Sequence, residues 1–160
     1  MREAAGRLAS HSQAAPDDPL VLREAGAFHY RKGDMGRADG LLSKAMRIDP
    51  KDYMAAFFYA RMLDETNRQA QAVSYYKQVL RYVPEDAEVH EAYARSLGKT
   101  GNTPDAYIHM AYSAIYSHNK KLAERYFNEA KSMSARTTDK TAFKRLETVY
   151  KERKEIWDKN

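Results

Sequence analysis

PLVLREAG at residues 19–26 and YMAAFFYA at residues 53–60 begin two copies of one pattern, the second starting 34 residues after the first. The register holds without insertion to the end of each copy, where residues 49–50 align with 83–84 and both pairs end in Pro. Small residues recur at fixed places inside each copy. A period of this length is typical of repeats built from one supersecondary unit.

Each copy predicts a pair of closely packed helices. The small residues are Gly26 and Ala38 in the first copy, and Ala60 and Ala72 in the second. Two helices can approach closely only where the side chains at their crossing are small. The Pro near the end of each copy stops the second helix, because Pro cannot continue it. We therefore predict antiparallel helical hairpins that stack one after another.

The pattern resembles the tetratricopeptide (TPR) family, whose repeats carry small residues at the eighth, twentieth and twenty-seventh positions and Pro at the thirty-second. Gly26, Ala38, Ala45 and Pro50 match these four positions in the first copy, and in the second copy only Val79 is larger than usual. The resemblance implies an all-α fold, a TPR solenoid of antiparallel helix pairs with about eight to nine helices.

The repeat register predicts a single TPR domain over residues 1–160. Residues 1–18 are expected to be either part of a preceding, truncated repeat of a larger array or an N-terminal capping helix. The other expected segments are 19–52 for repeat 1, 53–86 for repeat 2, 87–117 for repeat 3, 104–137 for repeat 4 and 138–160 for a C-terminal capping helix. Repeats 3 and 4 share the helix 104–117, whose residues are apolar nearly all round, as expected for a helix covered on several sides.

Within these segments the pattern places helices near 19–32, 35–48, 53–66, 69–82 and 138–158. Thr138 or Asp139 is the expected N-cap of the last helix. Its Phe143, Leu146, Tyr150 and Trp157 lie on one stripe that is expected to close the end of the stack, since terminal repeats need a cap with a polar outer face.

The amino-acid composition limits the kinds of partner and of chemistry that we expect for this chain. The chain has 43% hydrophobic residues but no run long enough to span a bilayer, so we expect no direct membrane insertion. Its 27 basic and 22 acidic residues are mixed along the whole length, which favours a solvated surface over nucleic-acid binding. There is no cysteine, which excludes disulfides and thiolate catalysis.

The last third of the chain carries a second resemblance. The shared helix, the stretch Lys120–Ala130 and a basic-acidic final helix containing Arg145 and Lys151–Arg153 resemble the C-terminal TPR region of BepA-like zinc metallopeptidases. In that family the TPR tail binds partners and helps to control a separate HExxH protease domain of the bacterial cell envelope. The resemblance implies a periplasmic or envelope location, with the protease domain of the same parent chain as a candidate partner; without it the location would be cytoplasmic.

No catalytic motif accompanies this resemblance. HEAYA at residues 90–94 has Ala94 where the second zinc-binding His would stand, one helical turn after the first. No two of the five histidines are three or four residues apart, so none can share a helical face as metal ligands. His29 and His90 are expected to pack as structural residues. We predict that this chain is not an enzyme and holds neither a metal nor a cofactor.

The first helices of a TPR array line its concave side, and their exposed positions are the expected binding surface. The candidate residues are Arg23, Tyr30, Phe57, Arg61, Glu91, Arg95, Tyr112 and Tyr116. Phe57 with arginines around it would form an aromatic floor with cationic walls, suited to an extended or helical peptide that carries acidic groups. The alternative is an ordinary solvated face that includes a few aromatic residues.

These observations predict a scaffold for protein–protein interaction that binds a protein or peptide segment in a concave groove. One hypothesis makes it the non-catalytic accessory region of a larger zinc metallopeptidase. The alternative is a stand-alone cytoplasmic TPR adaptor or a co-chaperone-like assembly factor. A clamp for a terminal carboxylate, as in some chaperone-binding TPR domains, is not supported, because Ala27 and Arg23 replace its Asn and Lys.

Overall fold

The computed structural model describes residues 17–159, whose regular secondary structure is entirely helical, with no strand among them. Most of the segment expected to be a partial preceding repeat or an N-terminal capping helix, residues 1–16, lies outside the described residues. The chain divides after Val79 into two compact units, here called unit 1 (residues 17–79) and unit 2 (residues 80–159). Over the same residues, no helix is both long and apolar enough to cross a membrane.

Unit 1 contains two helical hairpins. Its helices are α1 Pro19–Arg31, α2 Met35–Ile48, α3 Tyr53–Glu65 and α4 Gln69–Val79. α1 packs against α2 and α3 against α4, while α3 also contacts α1 and α2. The small residues of the repeat pattern lie in these contacts, since Ala38, Ala60 and Ala72 are completely buried and Gly26 lies against Leu42.

Unit 2 contains three consecutive pairing helices and a fourth that packs across two of them. The helices are α5 Ala87–Lys99, α6 Thr103–Tyr116, α7 Lys120–Ser132 and α8 Ala142–Trp157, with a short 3₁₀ helix at Ser134–Arg136. α6 pairs with both α5 and α7, which confirms the predicted shared helix, and α8 packs on α6 and α7 as the C-terminal cap. Leu146 and Tyr150 bring α8 into the core of the unit, where Phe127 stacks on Tyr150 with ring centroids 4.1 Å apart.

The turns inside the helix pairs repeat one backbone geometry. Each contains a residue with positive φ, and the next residue donates its N–H to a carbonyl five residues earlier, which is the Schellman way of ending a helix. The residues with positive φ are Gly33, Asn67, Gly101 and His118. The first three are spaced by the repeat length, whereas His118 follows Gly101 by half of it. The turn after α6 therefore repeats the turn before it, as expected if α6 serves two hairpins.

Short polar side chains set the starts of the helices. A side-chain oxygen accepts a hydrogen bond from a backbone N–H of the first turn, satisfying a donor that the helix itself leaves unpaired. The caps are Asp18, Asp34, Asp52, Asp86, Asn102 and Asn119. The aligned Asp and Asn residues in the sequence thus define where the helices begin.

Two helix boundaries differ from the sequence-based expectation. α4 ends at Val79, three residues early, and turns lead on to Pro84. α8 begins at Ala142, later than expected, because the residues before it are held elsewhere. Thr138 donates its N–H to Asp105 at 3.1 Å, and the Asp139 carboxylate accepts from the Thr141 N–H at 2.8 Å. These bonds replace the expected cap.

We expect Gly26→Ala to destabilise unit 1. A Cβ at this position would lie 2.6 Å from Leu42 Cγ and 2.9 Å from Leu42 Cδ2, and Leu42 is fully buried. Overpacking typically costs about 1–3 kcal/mol, and the helix propensity of Ala offsets about 1 kcal/mol, so the expected net loss in urea unfolding is up to about 2 kcal/mol.

Gly40→Ala is the matched control. Gly40 also lies within a helix, but an added Cβ would meet nothing within 4 Å. Its replacement should raise the free energy of unfolding by about 0.5–1 kcal/mol. Equal effects of the two substitutions would contradict the close helix contact at Gly26.

Candidate functional site

Three of the predicted residues meet in unit 1, on α1 and α3. The Arg61 guanidinium lies 5.9 Å from the centroid of the Tyr30 ring and 5.8 Å from that of Phe57. Both rings are 7% exposed, so they support the cation from beneath and show little surface of their own. The Tyr30 hydroxyl donates to the Glu65 carboxylate. These four residues are called the Arg61 cluster.

The Arg61 cluster is a fixed cation on an aromatic support. Burial, together with the hydrogen bond to Glu65, raises the pKa of Tyr30 to about 12, so that its hydroxyl remains a donor at neutral pH. An arginine stacked on aromatic rings still presents in-plane N–H groups, the edge with which it binds carboxylates. Arg31 repeats this arrangement nearby: it is exposed, and its guanidinium lies 5.7 Å from the centroid of Phe58.

Arg23, also predicted for this surface, is held by two carboxylates of unit 1. Its guanidinium lies 3.3 Å from an Asp52 oxygen and 2.9 Å from a Glu24 oxygen. The Asp52 side chain is only 5% exposed and also caps α3, accepting from the Ala55 N–H at 3.0 Å. Arg23 thus ties α1 to the start of α3, and its charge is matched within the fold.

The other four predicted residues lie in unit 2. Glu91 and Arg95 form an exposed ion pair one turn apart on α5, with 3.5 Å between the charged atoms. Tyr112 and Tyr116 lie one turn apart on α6, with nearly parallel rings whose centroids are 5.9 Å apart. Both tyrosine rings contact His90 of α5, at centroid distances of 5.0 and 5.5 Å. Burial raises the pKa of Tyr112 to about 12.

His90 is the centre of a polar contact that sequence reasoning did not predict. Its Nδ1 lies 2.8 Å from Nδ1 of His109 on α6, and its Nε2 lies 2.9 Å from the Pro84 carbonyl oxygen. A carbonyl only accepts, so His90 carries its proton on Nε2 and its Nδ1 is the acceptor. Nδ1 of His109 must then carry the proton that joins the rings. In the neutral pair, these two hydrogen bonds fix both tautomers.

The surroundings keep this pair neutral. Burial lowers the pKa of His90, and the opposing effects of the Pro84 carbonyl and of Asp86 are smaller. Burial, then His90 and the Arg145 guanidinium, lower the pKa of His109 to about 3. The two residues are 19 positions apart on different helices, which explains why spacing along one helix did not reveal them.

The repeat register contains a signal for this contact. Moved back by two repeat lengths, His90 and His109 fall on Leu22 and Leu41 of repeat 1. These two leucines belong to one hydrophobic cluster of unit 1. Positions that pack together in one repeat pack together in another, so the alignment of repeats, unlike spacing within a helix, would have paired the histidines.

We expect Asp52→Asn to reveal the ion pair with Arg23. Asn caps helices about as well as Asp, so the substitution removes the charge and keeps the cap. The expected loss is about 1–2 kcal/mol in the free energy of unfolding, because Arg23 would face a buried neutral partner. Asp18→Asn, the same change at the cap of α1, should alter stability by less than about 0.5 kcal/mol. Equal stabilities of the two variants would show that the ion pair contributes nothing.

NMR spectroscopy can determine which ring nitrogen of His90 and of His109 carries the proton. Long-range ¹H–¹⁵N correlation spectra at neutral pH should show His90 protonated at Nε2 and His109 protonated at Nδ1, because only that arrangement satisfies both hydrogen bonds. The exposed His118 provides the internal reference for the spectra. Protonation of His109 at Nε2 alone would contradict the assigned contact.

Parts of this chain are similar to known proteins that contain tetratricopeptide repeats. The family model described as tetratricopeptide repeat matches residues 29–96. Among curated proteins, the interferon-induced protein with tetratricopeptide repeats 2 of Cricetulus griseus is 26% identical over 125 residues. That alignment covers 72% of this chain and 25% of the relative, so the chain spans about a quarter of that protein.

Solved structures of MamA share the architecture. MamA from Desulfovibrio magneticus RS-1 (residue 41 to the end) superposes with a TM-score of 0.68 at 18% identity and covers 99% of this chain and 86% of its own. MamA AMB-1 gives 0.63 at 24% identity over 70% and 61% of the two chains, and MamA MSR-1 gives 0.59 at 25% over 74% and 64%. This chain thus spans less than two thirds of the latter two. Residues 29–96 thus match the tetratricopeptide-repeat family model, and the similarity to MamA confirms the all-helical fold class built from antiparallel helix pairs.

Proposed function

We propose that this chain is a non-catalytic scaffold for protein–protein interaction, and that the α1–α3 surface of unit 1 binds a peptide segment that carries acidic residues. TPR folds generally serve as surfaces for protein partners rather than as enzymes. The observation that carries the proposal is the Arg61 guanidinium held against two aromatic rings at 5.8 and 5.9 Å. A cation fixed in this way loses little conformational entropy when a carboxylate binds to it.

Arg31 extends the proposed contact. Its exposed guanidinium over Phe58 provides a second positive charge supported by an aromatic ring. Two such cations can receive two acidic side chains of one peptide, and charge-assisted bonds of this kind are stronger than neutral ones. Arg23 has a supporting role, because it fixes the start of α3 through Asp52.

Unit 2 offers a different surface. The proposed contact residues there are Glu91, Arg95, Tyr112 and Tyr116. The exposed charges of α5 can pair with either sign of charge, while the partly buried tyrosine rings provide apolar contact area with hydroxyls at the edge. Aromatic residues of this kind often supply most of the affinity of an interface. We propose these residues as a contact surface of unit 2 in its own right.

The narrower hypothesis, an accessory region of a zinc metallopeptidase in the bacterial cell envelope, stays a prediction from sequence resemblance. Residues 17–159 contain no group of three or more metal-binding side chains. His90, the first residue of the HEAYA stretch, has both ring nitrogens in hydrogen bonds. A stand-alone adaptor is the alternative, and both hypotheses predict the same binding surface.

The test is a double charge reversal. Binding of short acidic peptides from a fluorescent library is measured by anisotropy for wild type and for Arg31→Glu/Arg61→Glu. Loss of two charge-assisted contacts should weaken the tightest acidic peptide at least about tenfold, because each contact contributes roughly 1–3 kcal/mol. Basic peptides of equal length are the specificity control.

The matched control variant is Arg37→Glu/Arg47→Glu, which makes the same change in net charge on α2. It should bind acidic peptides within about twofold of wild type, because long-range charge effects are screened at physiological salt. Helical circular dichroism must be unchanged in both variants. Equal weakening by the two variants would indicate a general charge effect and refute the proposed surface, as would a wild type that binds acidic and basic peptides alike.

A further inference from the structure

The His90–His109 pair of unit 2 can bind one added proton, but not two, while the contact between its rings is kept. In its neutral form one N–H lies in the 2.8 Å contact between the Nδ1 atoms of His90 and His109. One added proton can be accommodated if His90 becomes the donor and His109 shifts its own proton to Nε2. A second proton places two N–H groups and two positive charges against each other at that distance. The contact cannot survive in that state.

Burial and the nearby arginines oppose positive charge on the pair, and the acidic groups around it offset them only in part. His90 is 4% exposed and lies between the rings of His109, Tyr112 and Tyr116, and Tyr93 contacts His109 at a centroid distance of 4.4 Å. The positive groups that face this cluster come from α8: Arg145 acts on His109 and Tyr112, and Arg153 acts on Tyr116. The acidic groups are Asp86 at the start of α5, which faces His90, Glu85 in the preceding turn, which faces Tyr116, and Asp105 at the start of α6, which faces Tyr93.

We propose that the contact between His90 and His109 is a pH-sensitive switch that holds α5 against α6 at neutral pH and makes opening of this hairpin more frequent in mild acid. The contact joins the two helices directly, and it also supports the Tyr112 and Tyr116 rings on α6. Protonation therefore loosens both the hairpin and the aromatic surface above it. This inference concerns the stability of unit 2 and does not depend on peptide binding by unit 1.

The direction of the effect follows from linkage. Both imidazoles have a folded-state pKa below the unfolded value of about 6.5, so the opened state binds more protons than the closed one in acid. The stabilisation is complete above about pH 6.5 and decreases as the pH falls below it. At one pH unit below 6.5, each histidine kept neutral in the closed state raises the opening equilibrium constant about tenfold.

Hydrogen exchange of the whole chain, expressed as protection factors, measures this opening for each helix. Between about pH 7.5 and about pH 5.5, protection of α5 and α6 should fall at least about tenfold, and up to about a hundredfold if both histidines remain neutral in the closed state. The amides of α1, α2 and α3 in unit 1 serve as the internal reference, and their protection should change by less than about twofold.

Two variants assign the effect to the pair. His109→Asn retains a neutral N–H donor close to where Nδ1 stands but does not titrate, so its loss of protection in acid should be about tenfold smaller than in wild type. His90→Leu/His109→Leu gives these positions the residues that Leu22 and Leu41 provide in repeat 1. Replacing both partners of a buried polar pair by apolar groups can leave stability nearly unchanged. This double variant should show no acid-dependent opening of α5 and α6.

The matched control is His118→Asn. His118 is exposed and has a φ of 58°, a conformation that Asn adopts readily, so its replacement should leave the response of wild type unchanged. Several outcomes would overturn the switch: unchanged protection of wild-type α5 and α6 in acid, an equal loss in α1 to α3, or the same acid response in wild type and in the leucine double variant.

Discussion

The structure depends on the close approach of two helices within each repeat. At Gly26 the backbone of α1 lies against Leu42, so close that one added carbon would fall 2.6 Å from its Cγ. Ala38, Ala45 and Ala72 provide the same freedom on the second helices, and all are fully buried. Because helices in contact need complementary ridges and grooves, these small residues set where each pair can cross. The stacking of successive pairs, and the faces left exposed, follow from that crossing.

The features repeated at this period were the most predictable from sequence. The aligned small residues and the Pro at the end of each copy predicted the hairpins. The shared helix was predictable too, since residues 104–117 are apolar nearly all round. Features that do not follow the repeat were harder to predict from the sequence. His118 takes the turn position that Gly33 and Gly101 occupy, and nothing in its side chain indicates a positive φ. The start of α8 depends on hydrogen bonds between Thr138 and Asp105, which lie far apart in the sequence.

The difference between features that repeat at this period and features that do not also explains how much of the candidate site could be predicted. Sequence position along a helix indicated which residues of α1 and α3 belong to one face, and the structure brings Tyr30, Phe57 and Arg61 together there. It could not indicate how much of each side chain is exposed. Tyr30 and Phe57 are mostly buried and serve as a support beneath the Arg61 guanidinium. The carboxylates that pair with Arg23 belong to Glu24 of α1 and to Asp52 at the start of α3. No local sequence pattern predicts the ion pair between Arg23 and Asp52, because the two residues belong to different helices.

One pair of equivalent repeat positions holds apolar side chains in one repeat and titratable side chains in another. The positions of Leu22 and Leu41 in repeat 1 hold His90 and His109 in repeat 3. Imidazoles are tolerated there because their hydrogen bonds are satisfied by each other and by the Pro84 carbonyl, which removes the usual cost of burying a polar group. That tolerance holds only while both rings are neutral, since charge would restore the cost of desolvation. An apolar pair has no such condition. The substitution of histidines for leucines thus keeps the packing of the repeat while making the stability of unit 2, unlike the leucine contact of unit 1, depend on pH.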